Sequence, residues 1–244
     1  MKPFLILQLR PETDAADDEF AAILRKCALP AGRARRIRLD CEDLPAGLDV
    51  TDYAGVIVGG GPGCVSDPPD RKTAMDIRIE TQIMGLMPQI TDRDHPFMGC
   101  CYGLGILAHH LGGEVSKARF GEPVGPSDCT LTEEAANDPL TAGLPAAFQS
   151  FVGHKEAVQA LPPGCVHLVR SEPCPFQMVR FGRNVYATQF HPEADAHDFE
   201  RRIRIYRDHG YFPPDEADAL IAVCHASSVT VPGEILRRFA ARYG

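Results

Sequence analysis

Residues 95–113 read His95-Pro-Phe-Met-Gly-Cys-Cys-Tyr-Gly-Leu-Gly-Ile-Leu-Ala-His-His-Leu-Gly-Gly113. The apolar run Pro96 to Met98 stops at Gly99. Beyond the two cysteines and Tyr102-Gly103, residues Leu104, Leu107, Ala108 and Leu111 recur at the 3.6-residue period of a helix, and Gly112-Gly113 closes it. The stretch therefore predicts a buried strand that turns sharply into a helix. Gly99-x-Cys101-x-Gly103 places small residues on both sides of the bend, the pattern of a nucleophile elbow with Cys101 presented at the helix N-terminus. Backbone N–H groups and the helix dipole at such a point favour a thiolate and, later, an oxyanion. Cys100 reads as a small buried residue at the strand end.

Working outward, 244 residues without an internal repeat suit one α/β domain, 1–244, with residues 196–244 as a helical packing segment. A net charge of −8, spread rather than blocked, argues against nucleic acid or an acidic membrane surface as partner. The short basic clusters Arg33–Arg38 and Arg201–Arg207 read as solvated faces. Nine scattered cysteines without Cys-x-x-Cys spacing, after a Met-Lys-Pro start with no apolar signal sequence, point to reduced thiols in a cytoplasmic protein. No apolar run approaches membrane-spanning length.

On the N-terminal side, Phe4 to Leu7 is a continuous apolar run, expected as a buried parallel strand. Phe20, Ile23, Leu24 and Cys27 follow at helical spacing, with Asp17 and Asp18 suited to the helix start and Pro30 to its end. Arg36 to Leu39 alternates like a second strand, and Tyr53 to Val58 leads into a third. That strand ends in Gly59-Gly60-Gly61-Pro62-Gly63, where bare backbone can cradle a phosphate, aim an N–H at a reacting carbonyl, or simply turn. Met75, Ile79, Ile83 and Leu86 then share a helix face. The order β-α-β-x-β-α-β-α means a mainly parallel, doubly wound sheet with right-handed crossovers.

On the C-terminal side, Glu114 to Val185 lacks long helices and reads as an antiparallel extension of the same sheet. It holds His154, for which a hydrogen-bonded structural role is the plainer reading. Val185 to Phe190 is strand-like and stops at His191-Pro192-Glu193, because proline breaks the ladder. A histidine and a carboxylate two residues apart in a turn can converge on one site, and a thiol nucleophile needs such a base with an orienting partner. Cys101 and His191 both follow strands whose carboxyl ends face one side of a parallel sheet. Phe199, Ile203 and Tyr206, then Ala217, Leu220, Ile221 and Cys224, then Ile235, Phe239 and Tyr243 mark three packing helices, the first ended by Gly210.

Taken in order, Gly60-Gly61-Pro62, Gly99-Cys100-Cys101-Tyr102-Gly103 and Gln189-Phe190-His191-Pro192-Glu193 resemble the motifs of class I glutamine amidotransferases, closest to the glutaminase domain of GMP synthase and its free-standing relatives. The resemblance implies a flavodoxin-like mainly parallel sheet flanked by helices. It implies Cys101 as nucleophile, His191 as base and Glu193 as its orienting carboxylate, with an oxyanion hole from the N–H groups of Gly61 and Tyr102. The implied reaction is hydrolysis of the glutamine side-chain amide through a glutamyl thioester, with no metal or organic cofactor. Gly153-His154-Lys155-Glu156 resembles the family's serine–histidine strand near the substrate, with Gly153 where serine is usual, so Gly153 and His154 are candidate substrate contacts without a catalytic role. The chain departs from the family at Gly105, where a substrate-holding glutamine is usual. Losing one hydrogen bond to a charged substrate end costs roughly 1.5–3 kcal/mol, and the glycine is expected to leave room for a bulkier γ-glutamyl compound. No phosphate-binding loop is present. Three readings therefore stand: a glutaminase passing ammonia to a separate synthetase subunit, a hydrolase of γ-glutamyl peptides or amines acting alone, and a non-catalytic regulatory subunit.

Overall fold

The apolar run at the start forms β1 (Phe4–Gln8), buried at all five positions in the computed structural model, which describes residues 1–244. There follow α1 (Thr13–Cys27), β2 (Ala34–Arg38), β3 (Val56–Val58), α2 (Ala74–Asp92), β4 (Phe97–Cys100) and α3 (Tyr102–His110). Strands then dominate: β5 (Val115–Ser116), β6 (Glu122–Leu131), β7 (Ala147–His154), β8 (Ala157–Val158), β9 (Cys165–Ser171), β10 (Met178–Phe181) and β11 (Val185–Thr188). Helices α4 (Ala196–Ile205), α5 (Ala217–Ala226) and α6 (Val231–Tyr243) complete the chain.

Nine strands form one sheet in the order β2-β1-β3-β4-β11-β10-β9-β6-β7, and β5 pairs with β8 separately. The first five run parallel; from β11 onward every neighbour is antiparallel. The expected flavodoxin-like sheet with an antiparallel extension is what forms. Parallel strands covered on both faces need apolar residues at every position, and the alternate side chains sort accordingly. Leu5, Leu7, Val56 and Val58 pack with Ile79, Ile83 and Leu107 of α2 and α3. Phe4, Ile6, Ile57 and Met98 pack on the other face with Ile23 of α1 and Phe239 of α6.

Register sets the site. Strand β4 lies between β3 and β11, with Gly99 opposite Val58 and Cys100 opposite Thr188. The glycine run after β3, the elbow after β4 and the His-Pro-Glu turn after β11 thus emerge side by side at one sheet edge. Residues ninety positions apart become neighbours through one strand pairing.

Several local expectations need correction. Helix α1 starts at Thr13, so Asp17 and Asp18 lie inside it; Asp18 is buried there and pairs with Arg201 at 2.7 Å, so its charge serves tertiary contact rather than capping. The helix ends at Cys27, with Ala28 in the left-handed region (φ 53°) before Pro30 is reached. Ile79, Ile83 and Leu86 do share the buried face of α2, but Met75, in its first turn, is 40% exposed. The last of these shifts is in α4, which ends at Ile205 rather than at Gly210. No single helix is long and apolar enough to cross a membrane.

Candidate active site

The elbow explains its own glycines. A Cβ on Gly99 would stand 2.8 Å from the Gly103 carbonyl, so β4 and α3 approach this closely only without it. Between them Cys101 takes φ 53°, ψ −97°, a conformation that costs a non-glycine residue roughly 1–3 kcal/mol and persists only when its surroundings over-determine it. Those surroundings are visible: the Cys101 N–H donates to Thr188 O of β11 at 2.7 Å, and Cys101 O accepts from Leu104 N at 2.9 Å. Cys100 points into the core, as expected. Gln189, one residue past β11, places Nε2 3.8 Å from Cys101 Sγ.

His191 Nδ1 lies 2.9 Å from Glu193 Oε1. The turn is anchored by the His191 N–H donating to Phe151 O at 2.9 Å, and the imidazole edge packs on the Phe199 ring at 5.6 Å. The pair has a third member that sequence reasoning assigned to a solvated face. Arg202 of α4 is buried, with Nη2 2.8 Å from Glu193 Oε1 and Nη1 3.2 Å from His191 Nδ1. An arginine has no lone pair and stays protonated, so Nδ1 keeps its hydrogen for Glu193 and the guanidinium acts on the ring as a nearby charge. The expectation that residues 201–207 form a solvated face fails at Arg202, and α4 does more than pack. The only hint in the sequence was the helical phase, which puts Arg202 beside the apolar Phe199 and Ile203.

The glycine run is held from behind by a second buried pair. Glu19 of α1, fully buried, accepts from Arg10 Nε at 2.8 Å and from the Gly60 N–H at 3.2 Å. A Cβ on Gly60 would meet Arg10 Nη2 at 2.8 Å and His191 Cε1 at 2.9 Å, so glycine is required for the imidazole to sit here. The Gly59 N–H is taken by Leu7 O and the Gly60 N–H by Glu19, which leaves that of Gly61 without a protein acceptor. Tyr102 opens α3, where an N–H has no intrahelical partner. Both proposed oxyanion donors thus border the Cys101 hollow unspent.

On the far side the Gly105 expectation meets a correction. The space is occupied: a Cβ there would stand 3.0 Å from Glu156 Oε1. Glu156 is held by the Val65 N–H at 3.0 Å, the Ser66 N–H at 2.9 Å and Ser66 Oγ at 2.7 Å. Its carboxylate borders the same hollow as Gly105, Gly153 and His154. His154 spends both ring nitrogens on the protein, Nε2 with Glu122 Oε2 at 3.0 Å and Nδ1 with Glu156 O at 2.9 Å, as a structural histidine would.

Burial governs the protonation states. It pushes the Cys101 thiol up to about 12, with Arg10 opposing and Glu193 adding to the rise. The sequence favours a thiolate at this turn; burial and the nearby Glu193 carboxylate act against that charge, with Arg10 supporting it. Burial likewise lowers His191 below the ordinary histidine value, with Arg202 and Arg10 on the same side and Glu193 opposing, so the ring is neutral near pH 7. Burial works against the Glu193 charge, but Arg202 and then His191 outweigh it and hold that carboxyl well below the usual range. Glu156 is raised by its own burial against the Ser66 and Val65 donors.

Fold and site together define a flavodoxin-like α/β protein with a strained cysteine elbow beside a histidine–carboxylate pair. The chain belongs to the class-I glutamine amidotransferase family, whose model matches residues 29–206. It is 33% identical over 170 residues to the glutamine-hydrolysing GMP synthase of Thermomicrobium roseum, covering 68% of this chain and 29% of that one. It is 32% identical over 143 residues to a glutamine-hydrolysing GMP synthase subunit from Natronomonas pharaonis, covering 58% of this chain and 67% of that protein. The chain thus spans about three-tenths of the length of the Thermomicrobium GMP synthase. A glutamine amidotransferase from Thermotoga maritima superposes with a TM-score of 0.78 at 20% identity, covering 100% of this chain and 98% of that one. One from Methylobacillus flagellatus gives 0.71 at 20% identity, covering 100% and 96%. At these identities the two structures speak to the fold alone.

Proposed function

We propose that the chain is a cysteine amidase that hydrolyses the side-chain amide of a glutamine-type substrate through a γ-glutamyl thioester. The observation that carries this is the 2.9 Å contact of His191 Nδ1 with Glu193 beside a cysteine held at φ 53°. With Nδ1 held, Nε2 is the nitrogen free to exchange protons. Thiol and imidazole both rest neutral, so His191 takes the Cys101 proton as sulfur attacks the amide carbon, rather than sharing a preformed ion pair. The oxyanion would lie against the N–H groups of Gly61 and Tyr102, donors typically worth ~3 kcal/mol each. His191 then delivers the proton to the departing nitrogen, and water, deprotonated by the same ring, cleaves the thioester and restores the thiol. Family membership and the likeness to the Natronomonas GMP synthase subunit support a separate synthetase as the receiver of ammonia.

The test is release of glutamate and ammonia by purified protein, with Cys101→Ser as control. The variant should lose at least about 10³-fold in kcat while keeping its melting temperature. Full activity in Cys101→Ser would remove the nucleophile assignment. Stoichiometric labelling of Cys101 by an electrophilic glutamine analogue separates a working site from a silent one.

A further inference from the structure

Helices α4 and α5 pack through a small apolar core that includes Phe199, Ile203, Ala217, Ile221 and Cys224. Polar side chains from the two helices meet on the solvent side of that core. His197 precedes buried Asp198 and Phe199, Glu200 follows them on the same helix, and His225 follows buried Cys224. One metal-ligating atom from each of the three lies within 4.8 Å of the other two. All stay open to water in part: His197 and His225 are exposed and Glu200 is half-buried. The helices fix the backbone beneath these side chains, which places them more firmly than a loop would.

The contacts inside the group are uneven. Glu200 Oε1 accepts from Arg204 Nε at 3.0 Å and Nη2 at 2.9 Å, which fixes the carboxylate and leaves Oε2 for His225 Nε2 at 2.7 Å. The His197 backbone N–H donates to Asp195 Oδ1 at 3.1 Å and anchors the first turn of α4, but its ring makes no hydrogen bond. That ring still stands 5.0 Å from the His225 ring. An exposed His–Glu pair is complete with two members and holds its geometry weakly; a third donor beside it adds nothing to the pair. Two imidazole nitrogens and one carboxylate oxygen, with positions open on the water side, are the donor set of a zinc-type divalent ion. The i, i+3 spacing of His197 and Glu200 is the one used in metal sites between bundle helices. The buried group Glu122, His154 and Cys174 is as compact, but its donors are spent. Ser127, Gln177 and His154 take the Glu122 oxygens, and Glu156 O takes the other His154 nitrogen.

We propose that His197, Glu200 and His225 form a zinc-type divalent metal site that clasps α5 to α4. The ion takes the place of the hydrogen between His225 Nε2 and Glu200 Oε2, and the ring then carries its hydrogen on Nδ1. Ligand atoms around a tetrahedral Zn²⁺ stand roughly 3.3 Å apart at bond lengths of ~2.0–2.1 Å. The 2.7 Å contact therefore opens by about half an ångström. Exposed side chains make that adjustment by rotation while the apolar core holds the helices in place. Water completes the shell. The ion takes no part in the chemistry at Cys101. It grips the outer face of the helix whose buried face carries Arg202 to Glu193.

The experiment titrates Co²⁺, a coloured stand-in for zinc, into the purified chain and follows its absorption. Nitrogen and oxygen ligands at a site of low coordination number give visible d–d bands, whereas thiolate ligands add a strong charge-transfer band in the near ultraviolet. The d–d bands should saturate at one equivalent and bleach when Zn²⁺ is added. His197→Gln and His225→Gln, both at exposed positions, should each weaken Co²⁺ binding at least about tenfold with the melting temperature of the metal-free protein unchanged. Cys41→Ser, at the exposed cysteine, and Cys101→Ser should keep both the bands and the affinity. The Cys101→Ser control also separates this proposal from the amidase reading, since the metal site stands whether or not Cys101 is the nucleophile. An absence of d–d bands at saturating Co²⁺, bands of thiolate type alone, or an affinity that either histidine variant leaves unchanged overturns the proposal. Loss of the bands in either cysteine variant overturns it as well.

Discussion

Arg202 shows how one side chain sets the working range of another. Burial disfavours the imidazolium of His191 against the pull of Glu193, and the Arg202 guanidinium beside the ring adds to burial, so the neutral base persists below the ordinary histidine value of 6.5. The active form needs that neutral ring, so the acid limb of kcat/KM should lie below pH 6.5. Arg202→Met removes a charge that lowers the His191 pKa; the acid limb should then move upward, and kcat at pH 7.5 should fall about 100-fold as the Glu193–His191 geometry loosens. A pH–rate profile of both proteins checks the direction. A limb that stays in place would mean Arg202 only packs. The same variant leaves Glu193 with one partner fewer in the interior, at a cost of about 3 kcal/mol. Sign matters here too: a carboxyl held below its unfolded value contributes stability above pH ~4.5 that is lost as pH falls through the folded value.

Among the elements, the β4–α3 turn concentrates the constraints. Gly99→Ala places a methyl 2.8 Å from the Gly103 carbonyl, and backbone cannot swing aside as a side chain can. The expected result is about 2 kcal/mol lost in urea unfolding, with activity lost beyond what unfolding explains. An alanine variant with unchanged stability would show that the turn relaxes. This element was readable from 95–113 because turn glycines and helical period are local signals. The role of α4 was not readable in that way. Its apolar face announced a packing helix, but that face carries Arg202 into the site between Phe199 and Ile203.

For the whole molecule, the sheet edge is the reacting surface, and the helices behind it fix its strands. Phe239 of α6 is fully buried against Phe4 of β1, ring centroids 6.1 Å apart. Phe239→Ala should cost about 3–5 kcal/mol in chemical denaturation. Activity per folded molecule should change little. An activity loss without a stability loss would instead tie the far end of the chain to the chemistry.

The sequence alone determined the order of elements, the elbow at Cys101, the His191–Pro192–Glu193 turn and the family resemblance, because each is written within a few adjacent residues. Only the tertiary structure decided that Arg202 and Glu19 are buried partners, that Glu156 stands beside Gly105, that Gln189 reaches Cys101 Sγ, and that burial works against a charge on the Cys101 sulfur. The physical reason is that a charged residue in a helix looks the same in sequence whether its side chain meets water or an opposite charge. Burial is a property of what the β4–β11 register and the crossing helices bring against it, and that sum is made only when the chain is folded.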